Sequence, residues 1–443
     1  MVAEAASDAN PGLRRSIGTT QLALYALGSM VGSGIYGLIG KAAGEAGSAV
    51  WLSFIIAMLA ALLTALSYAS LGSRYPRAGG AAYVTDRAFK RPLLSFTIGL
   101  ALVASGLTSI ATQSKIFAAI LADFAGIEAL TPTALAVGFL LIMSGIVFRG
   151  IRESMWVNVV CTLLEVSGIL LVIVSGISYW GTVDYFEIPP RTVDTGIALV
   201  VLQASVLTFF AFIGFEDAIN VAEECKNPQR TIPWGLVIAT VSAAFLYVAV
   251  AITAVSVLPW QELAEAPSPL TAVMQRSAPD IPAGLMSFIA LFSVANTALV
   301  NYVTASRLIY GMSGQGLLPG IVGRVHEKRR TPHIAIAAIL GLLLLLVIAG
   351  EIADLAAATV ILLLVVFIAV NASLIVLKRR KGEALGQFEI PLILPVAGII
   401  VCAVLLITRL ASTDWRAPAV ATILLCGILA LYGMLRLTNA SAR

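Results

Sequence analysis

Three groups of residues carry chemistry in stretches that are otherwise apolar: a run of glycines, a pair of adjacent carboxylates and one isolated glutamate. Gly28, Gly32, Gly34 and Gly37 interrupt an apolar stretch running from about Gln21 to Ala43. Each glycine weakens a helix by about 1 kcal/mol relative to alanine and bares its backbone. In hydrocarbon such a break persists only where protein, water or a ligand meets the freed N–H and C=O groups. A half-helix starting near Ser33 to Ile35 turns its N–H groups and the positive end of its dipole toward that place, and a carboxylate is what such an end binds. A second interruption follows at Phe212-Ile213-Gly214, with Glu216 and Asp217 after it. The opposed half-helix end leaves carbonyls near Phe209, Phe212 and Ile213, and Ala26 and Leu27 do the same in the first stretch. Those acceptors suit an ammonium group. The third group is Asn158, Thr162 and Glu165, at i, i+4 and i+7 on one helical face. Glu165 lies about 12 residues, or about 18 Å, in from its helix end. An ionisable side chain at that depth of a membrane helix is costly and functional by default. Glu165 can attract a cation or carry a proton; the alternative is a protonated or ion-paired structural glutamate, with Lys115 as a partner.

The elements that must position these residues are membrane helices. Of 443 residues, 59% are hydrophobic and 12% charged, where a soluble domain carries about a quarter charged. Twelve apolar runs long enough to cross a bilayer fall at about 19–45, 48–73, 92–124, 133–148, 153–180, 196–223, 233–258, 283–313, 333–350, 354–377, 390–409 and 417–437. The connections are short, so no soluble domain is expected. The letters of Gly32, Gly34 and Gly37 also spell the dinucleotide motif G-x-G-x-x-G. That motif requires a preceding strand and an acidic residue about 20 positions on; here the flanks are apolar helix and Glu45 is far too close. The first span is longer than a signal-peptide core and has no cleavage site after it. Placing the N-terminus in the cytoplasm puts Arg14, Arg15, Arg74, Arg77, Arg87, Arg149, Lys226, Arg230, Lys328, Arg330, Lys378 and Lys381 inside, against Arg191, Arg276, Arg409 and Arg416 outside. Both termini are therefore expected in the cytoplasm, in a multi-pass protein of the inner membrane. The basic loops are headgroup-facing and need no nucleic-acid partner. Cys161, Cys402 and Cys426 lie within spans and Cys225 at a helix end, which is no disulfide framework. No His/Cys metal spacing occurs, and His326 and His333 share one loop.

The second interruption comes five spans after the first, the position where two similar halves would each carry a broken helix. An odd number of spans per half requires opposite orientations, hence an inverted repeat: a tail at 1–16, a first repeat at 17–180, a second at 181–380, and two added helices at 381–443. Several phrases then carry a specific resemblance. The glycine stretch, Phe209-Phe210-Ala211-Phe212-Ile213-Gly214-Phe215-Glu216, Ala222-Glu223-Glu224-Cys225-Lys226-Asn227-Pro228, and Ser306-Arg307-Leu308-Ile309-Tyr310-Gly311-Met312 all resemble the amino acid–polyamine–organocation permeases. The likeness runs over essentially the whole chain. It implies an all-α integral membrane protein of twelve helices in a 5+5 inverted repeat, the leucine-transporter (LeuT) fold, with helices 1 and 6 unwound in mid-membrane.

The same resemblance implies that the backbone amides of Gly32, Ser33 and Gly34 hold a substrate α-carboxylate, with Ser33 able to add its hydroxyl. It makes Phe212 the gate, Glu216 an organiser of the unwound segment, and Asn296 and Thr297 candidates for the coupling-ion region. Several proton-coupled relatives carry a lysine where Glu165 stands, so that mechanism does not transfer directly. Asp217 is less expected and can face a substrate amine. Alternatives stay open beside these readings: G-x-x-x-G packing for Gly28 and Gly32, lipid contact for the phenylalanines, and snorkelling for Lys115. Ser105, Thr108, Ser109, Thr112 and Lys115 form one polar face that meets a cavity or another helix. Glu223 and Glu224 form either a gate network with Arg74 or Arg307 or solvated surface pairs. A serine hydrolase at Gly311-Met312-Ser313-Gly314 lacks a histidine within any span to activate it. A channel would need polarity along several spans, and a sensor would bind without moving its ligand. The expectation is a secondary active transporter of amino acids or related amines, coupled to a proton or sodium, with exchange as the alternative. It needs no cofactor and no obligate protein partner; its partners are the small-molecule substrate and the bilayer.

Overall fold

A computed structural model describes residues 15–441 except 78, 127–130, 191–195, 267, 350–351 and 411–415. The chain runs through α1 (Thr19–Met30), α2 (Ser33–Ala46), α3 (Val50–Arg74), α4 (Gly80–Phe89), α5 (Pro92–Ala125), α6 (Pro132–Arg149) and α7 (Ile151–Gly176). It continues through α8 (Ile197–Phe209), α9 (Asp217–Asn220), α10 (Pro228–Val257), α11 (Trp260–Glu265), α12 (Pro269–Ser277) and α13 (Ala283–Gly314). The last four are α14 (His333–Ala349), α15 (Ile352–Arg379), α16 (Ile393–Leu410) and α17 (Arg416–Ser441). Among the described residues no strand forms; one isolated parallel bridge joins Ile17 to Cys225.

Among the described residues, nine helical stretches are long and apolar enough to cross a membrane, and His333–Ile348 and Ala421–Arg436 are apolar but shorter. The first expected span is split into α1 and α2 because Val31 and Gly32 leave the helix. The apolar side chains left exposed, including Trp156, Val174, Phe245, Leu345, Ile348, Ile407 and Ile423, form a surface suited to hydrocarbon rather than water.

The interior is built on small residues. α3 buries Ala57, Ala60, Ala61, Ala65 and Ala69 and packs along α10, because small side chains let membrane helices approach closely. α5 lies along α13 and α15, and α1 is held between α10, α7 and α13. Three short helices lie outside the expected spans: α4, and the pair α11 and α12 in the loop before α13. α4 has an amphipathic sequence too short to have registered as a span. Its start follows Gly79, whose φ of +95° few other residues accept.

One end of the bundle gathers the Lys- and Arg-rich loops. There Arg74 donates two hydrogen bonds of 2.6 Å to the two oxygens of Glu389, which also accepts from Lys378 at 2.8 Å. Glu383 accepts from Tyr75 at 2.7 Å and from Arg87 at 2.9 Å. The 380–392 connection is thus latched onto the end of α3 and onto α4. Burial pushes the Glu389 carboxyl upward, but hydrogen bonds from Arg74, Lys378 and the Gly386 N–H outweigh it and pull it down to about 2.

Candidate functional site

The second interrupted stretch is as distinct as the first. α8 ends at Phe209, a 3-10 turn takes Phe210–Phe212, and the chain is then extended at Ile213 before α9 begins at Asp217. Gly214 supplies the reversal: its φ is +125°, and a side chain there would collide with the backbone of Ser29. The two breaks therefore rest on each other. A Cβ on Gly34 would stand 2.7 Å from the Cα of Ala211 in the facing break, so glycine is required there by close approach.

Between the breaks lies a cavity. Its wall takes Ser29, Gly32 and Gly34 from the first break, and Phe210, Ile213, Gly214, Glu216 and Asp217 from the second. α5 contributes Ser105, Ser109 and Gln113, α13 contributes Thr297, Asn301 and Thr304, and α15 contributes Thr359. The free space at its centre is about 30 Å³, room for about two water molecules.

Hydrogen bonds tie the wall together. The Ser29 hydroxyl donates to Asp217 Oδ2 at 2.6 Å, joining break to break. Glu216 turns back on its own segment, where its Oε2 accepts the Gly214 N–H at 2.9 Å. Ser293 donates to the Val31 carbonyl at 3.2 Å, and Tyr247 to that of Ala211 at 2.9 Å. Each break thus has one stranded carbonyl met by a side chain, as burial requires. The first turn of α2 has no side-chain cap, since its N-cap is Gly32; its N–H groups are oriented for an acceptor that the helix itself does not supply.

A second polar cluster sits behind the first break. Asn158 donates to Asn296 Oδ1 at 2.8 Å, Asn296 donates to Thr162 Oγ1 at 3.0 Å, and Thr162 donates to the Leu24 carbonyl at 3.3 Å. Gly28 is what lets this cluster reach α1, because a Cβ there would overlap Thr162 Oγ1 and Asn296 Nδ2. Glu165 is completely buried beside it. Neither of its carboxylate oxygens makes a hydrogen bond, and neither does Asn158 Oδ1; Asn296 stands near Glu165 without reaching bonding geometry. Tyr36 from α2 bonds to the Glu165 backbone carbonyl at 2.8 Å.

Compared with known families and proteins, residues 17–430 match the family described as Amino acid permease. The chain belongs to the amino acid permease family. The permease is 28% identical to the branched-chain amino acid permease of Bacillus subtilis over 429 residues, 91% of this chain and 90% of that protein. It is 31% identical to the methylthioribose transporter of the same organism over 415 residues, covering 88% and 86%. It is 30% identical to the mouse cationic amino acid transporter 4 over 390 residues, covering 84% and 61%. These relationships and the exposed apolar helices make the permease a multi-pass membrane protein.

Of the residues singled out in the sequence, the permease brings Gly32, Gly34, Ile213, Asp217, Glu216 and Thr297 onto the cavity wall. The Ser33 backbone opens α2 there; its side chain lies outside the described residues. Asn158, Thr162, Glu165 and Asn296 gather in the cluster behind the first break. Ala26 and Leu27 lie inside α1, and the Leu27 carbonyl already accepts the Val31 N–H at 2.7 Å. Phe209 is buried on Phe367, and Phe212 meets Tyr247 edge-on at 4.9 Å; neither lines the cavity, which Phe210 does instead. Lys115 is half-buried on α5 and does not line the cavity. Sequence reasoning missed Gln113, Thr304 and Thr359, and it weighed Phe210 only as one of four phenylalanines that could face either substrate or lipid. The polar step along α5 pointed toward Gln113, but the two threonines have no sequence signal beyond a hydroxyl in an apolar run. Of the suggested gate pairs, Glu224 and Arg307 meet at 3.2 Å with both side chains fully buried, whereas Arg74 is engaged by Glu389.

Proposed function

We propose that this permease carries amino acids or related amines across the cytoplasmic membrane by alternating access, with the substrate held between the two breaks. The observation that carries the reading is the cavity shared by an uncapped helix N-terminus on one side and the unwound segment with its carboxylates on the other. An amino acid is a ligand of that shape: its carboxylate suits the first turn of α2 through the Gly32, Ser33 and Gly34 backbone, and its ammonium suits carbonyls and carboxylates of the second break. The relatives named for amino acid transport support the same class.

In this reading α1 and α2 form one broken span, α8 with α9 form another, α17 crosses, and α14 crosses despite its 17 residues, which gives twelve. Residues 17–180 and 181–380 are the inverted repeats, and the end bearing the Arg74 latch faces the cytoplasm. Phe210 on the wall and Phe212 beyond it form the aromatic gate. Glu165, buried without a hydrogen bond on either oxygen, is the group that takes the coupling proton, beside Asn158, Thr162, Asn296 and Thr297. The test is uptake of labelled amino acids into proteoliposomes by wild type and by Gly34→Leu, whose side chain must displace Ala211. Abolished uptake is expected; undiminished uptake in the variant overturns the placement of the site.

A further inference from the structure

We propose that an arginine-lined cleft at the Lys- and Arg-rich end of the bundle binds a hydroxylated phosphate ester, held by Arg15, Arg74 and Arg77. The site is separate from the cavity between the breaks and does not depend on what that cavity carries.

The cleft has a free volume of about 510 Å³, within the usual range of small-molecule pockets. Its wall is assembled from four parts of the chain. Arg15 comes from the lead-in to α1, Arg74, Tyr75 and Arg77 from the end of α3 and the turn after it, Tyr83 from α4, and Glu223 from the segment after α9. Hydrogen bonds fasten these parts together. The Glu224 carbonyl accepts the N–H groups of Ser16 and Ile17 at 2.8 and 3.0 Å, and the Ile17 carbonyl accepts that of Lys226 at 3.0 Å. This short bridge brings Arg15 and Glu223 to the same cleft. Arg74 is only 7% exposed and is held by Glu389 through Nε and Nη2, a bond that does not use the two N–H donors of Nη1. The Tyr75 and Tyr83 rings stand 6.3 Å apart, and Tyr75 is anchored by its hydroxyl on Glu383.

The charge balance favours an anion. Among the described residues of the wall, three guanidinium groups face one carboxylate, Glu223. Glu389 lies outside the wall and answers Arg74, but it is shared with Lys378 and so does not cancel the surplus. Arg15 and Arg77 are exposed and open to a ligand from solution or from the headgroup layer. The planar fork of a guanidinium matches the oxygens of a phosphate, and basic pockets at membrane helix ends hold lipid headgroups by the same chemistry. Glu223 disfavours a bare polyanion and suits an ester that brings hydroxyl groups beside its phosphate, as a glycerol phosphate does. The tyrosine rings offer a face to its carbon skeleton.

The test compares the full-length wild type with Arg15→Gln/Arg77→Gln and with Lys328→Gln/Arg329→Gln, which removes the same charge from an exposed loop outside the cleft. In detergent, glycerol 3-phosphate is expected to raise the wild-type thermal midpoint by about 2 °C or more above potassium chloride at matched ionic strength. In nanodiscs, the same comparison sets phosphatidylglycerol against phosphatidylcholine. A shift with glycerol 3-phosphate shows that a soluble ester suffices, and a shift confined to phosphatidylglycerol assigns the site to a headgroup. In either case the cleft variant is expected to lose most of the shift and the loop variant to keep it. Equilibrium dialysis of radiolabelled glycerol 3-phosphate, or native mass spectrometry of retained phosphatidylglycerol, reads binding apart from each variant's own stability; about fivefold weaker binding is expected in the cleft variant. No shift in either arm, or an equal loss in the cleft and loop variants, overturns the proposal. No arm measures uptake, so a failure of the transport reading leaves this test unaffected.

Discussion

Glu165 and Gly28 show how single residues govern the back of the first break. Glu165 has no hydrogen bond to either oxygen, so its protonation state is free to change without dismantling a network. If it carries the coupling proton, wild-type uptake varies between acid and neutral pH and Glu165→Gln flattens that profile; parallel profiles would remove the role. Gly28 is a packing position. Gly28→Val forces a side chain into Thr162 and Asn296, and overpacking of this kind costs about 1–3 kcal/mol, readable as a lower thermal midpoint in detergent. These residues were legible in the sequence because a glycine run or a lone carboxylate is a local anomaly in an apolar stretch. What was not legible is which ring faces the cavity. Phe210 and Phe212 sit in a 3-10 turn after α8, where the helical period no longer sets direction, so the resemblance favoured Phe212 while the wall carries Phe210.

At the scale of elements, two ion pairs fasten helices from distant parts of the chain. Glu224 and Arg307 join the segment after α9 to α13 with no exposure of either side chain. Removing one partner strands a buried charge, so Arg307→Ala is expected to cost about 3–5 kcal/mol. Pairing Arg307→Met with Glu224→Gln is expected to recover part of that loss in the same denaturation assay. The Arg74–Glu389 latch is more exposed and weaker. Glu389→Gln is expected to destabilise by on the order of 1–2 kcal/mol. Because the Glu389 carboxyl is pulled down to about 2, its contribution is full above the ordinary carboxylate range and fades as pH falls toward that value. Acid titration of wild type and Glu389→Gln should therefore converge at low pH. The latch was hidden in the sequence, where its partners lie 315 positions apart, and charges in loops read as membrane-facing until a fold brings them together.

For the whole molecule, the distribution of Lys and Arg predicts an orientation that chemical labelling can check. Lys381 and Asp184 are both exposed, on connections at opposite ends of the expected topology. With the native cysteines replaced, Lys381→Cys is expected to react with a membrane-impermeant thiol reagent only from the cytoplasmic side and Asp184→Cys only from the other. Labelling of both from one side would overturn the twelve-span arrangement. The helical architecture itself was readable in advance, since apolar runs and their breaks are one-dimensional features. The helices α4, α11 and α12 escaped because they are too short and too polar to register as spans.

The small cavity between the breaks has a kinetic consequence. With room for about two water molecules, it is smaller than any amino acid, and at Gly34 and Gly214 the two breaks are in direct backbone contact. If this cavity is the substrate site, as proposed, a ligand must wait for the helices to part before it can enter. Measured association rates should then level off as ligand concentration rises, at a plateau that reports the opening step rather than diffusion, and apparent affinity is lowered by the fraction of time the protein spends closed.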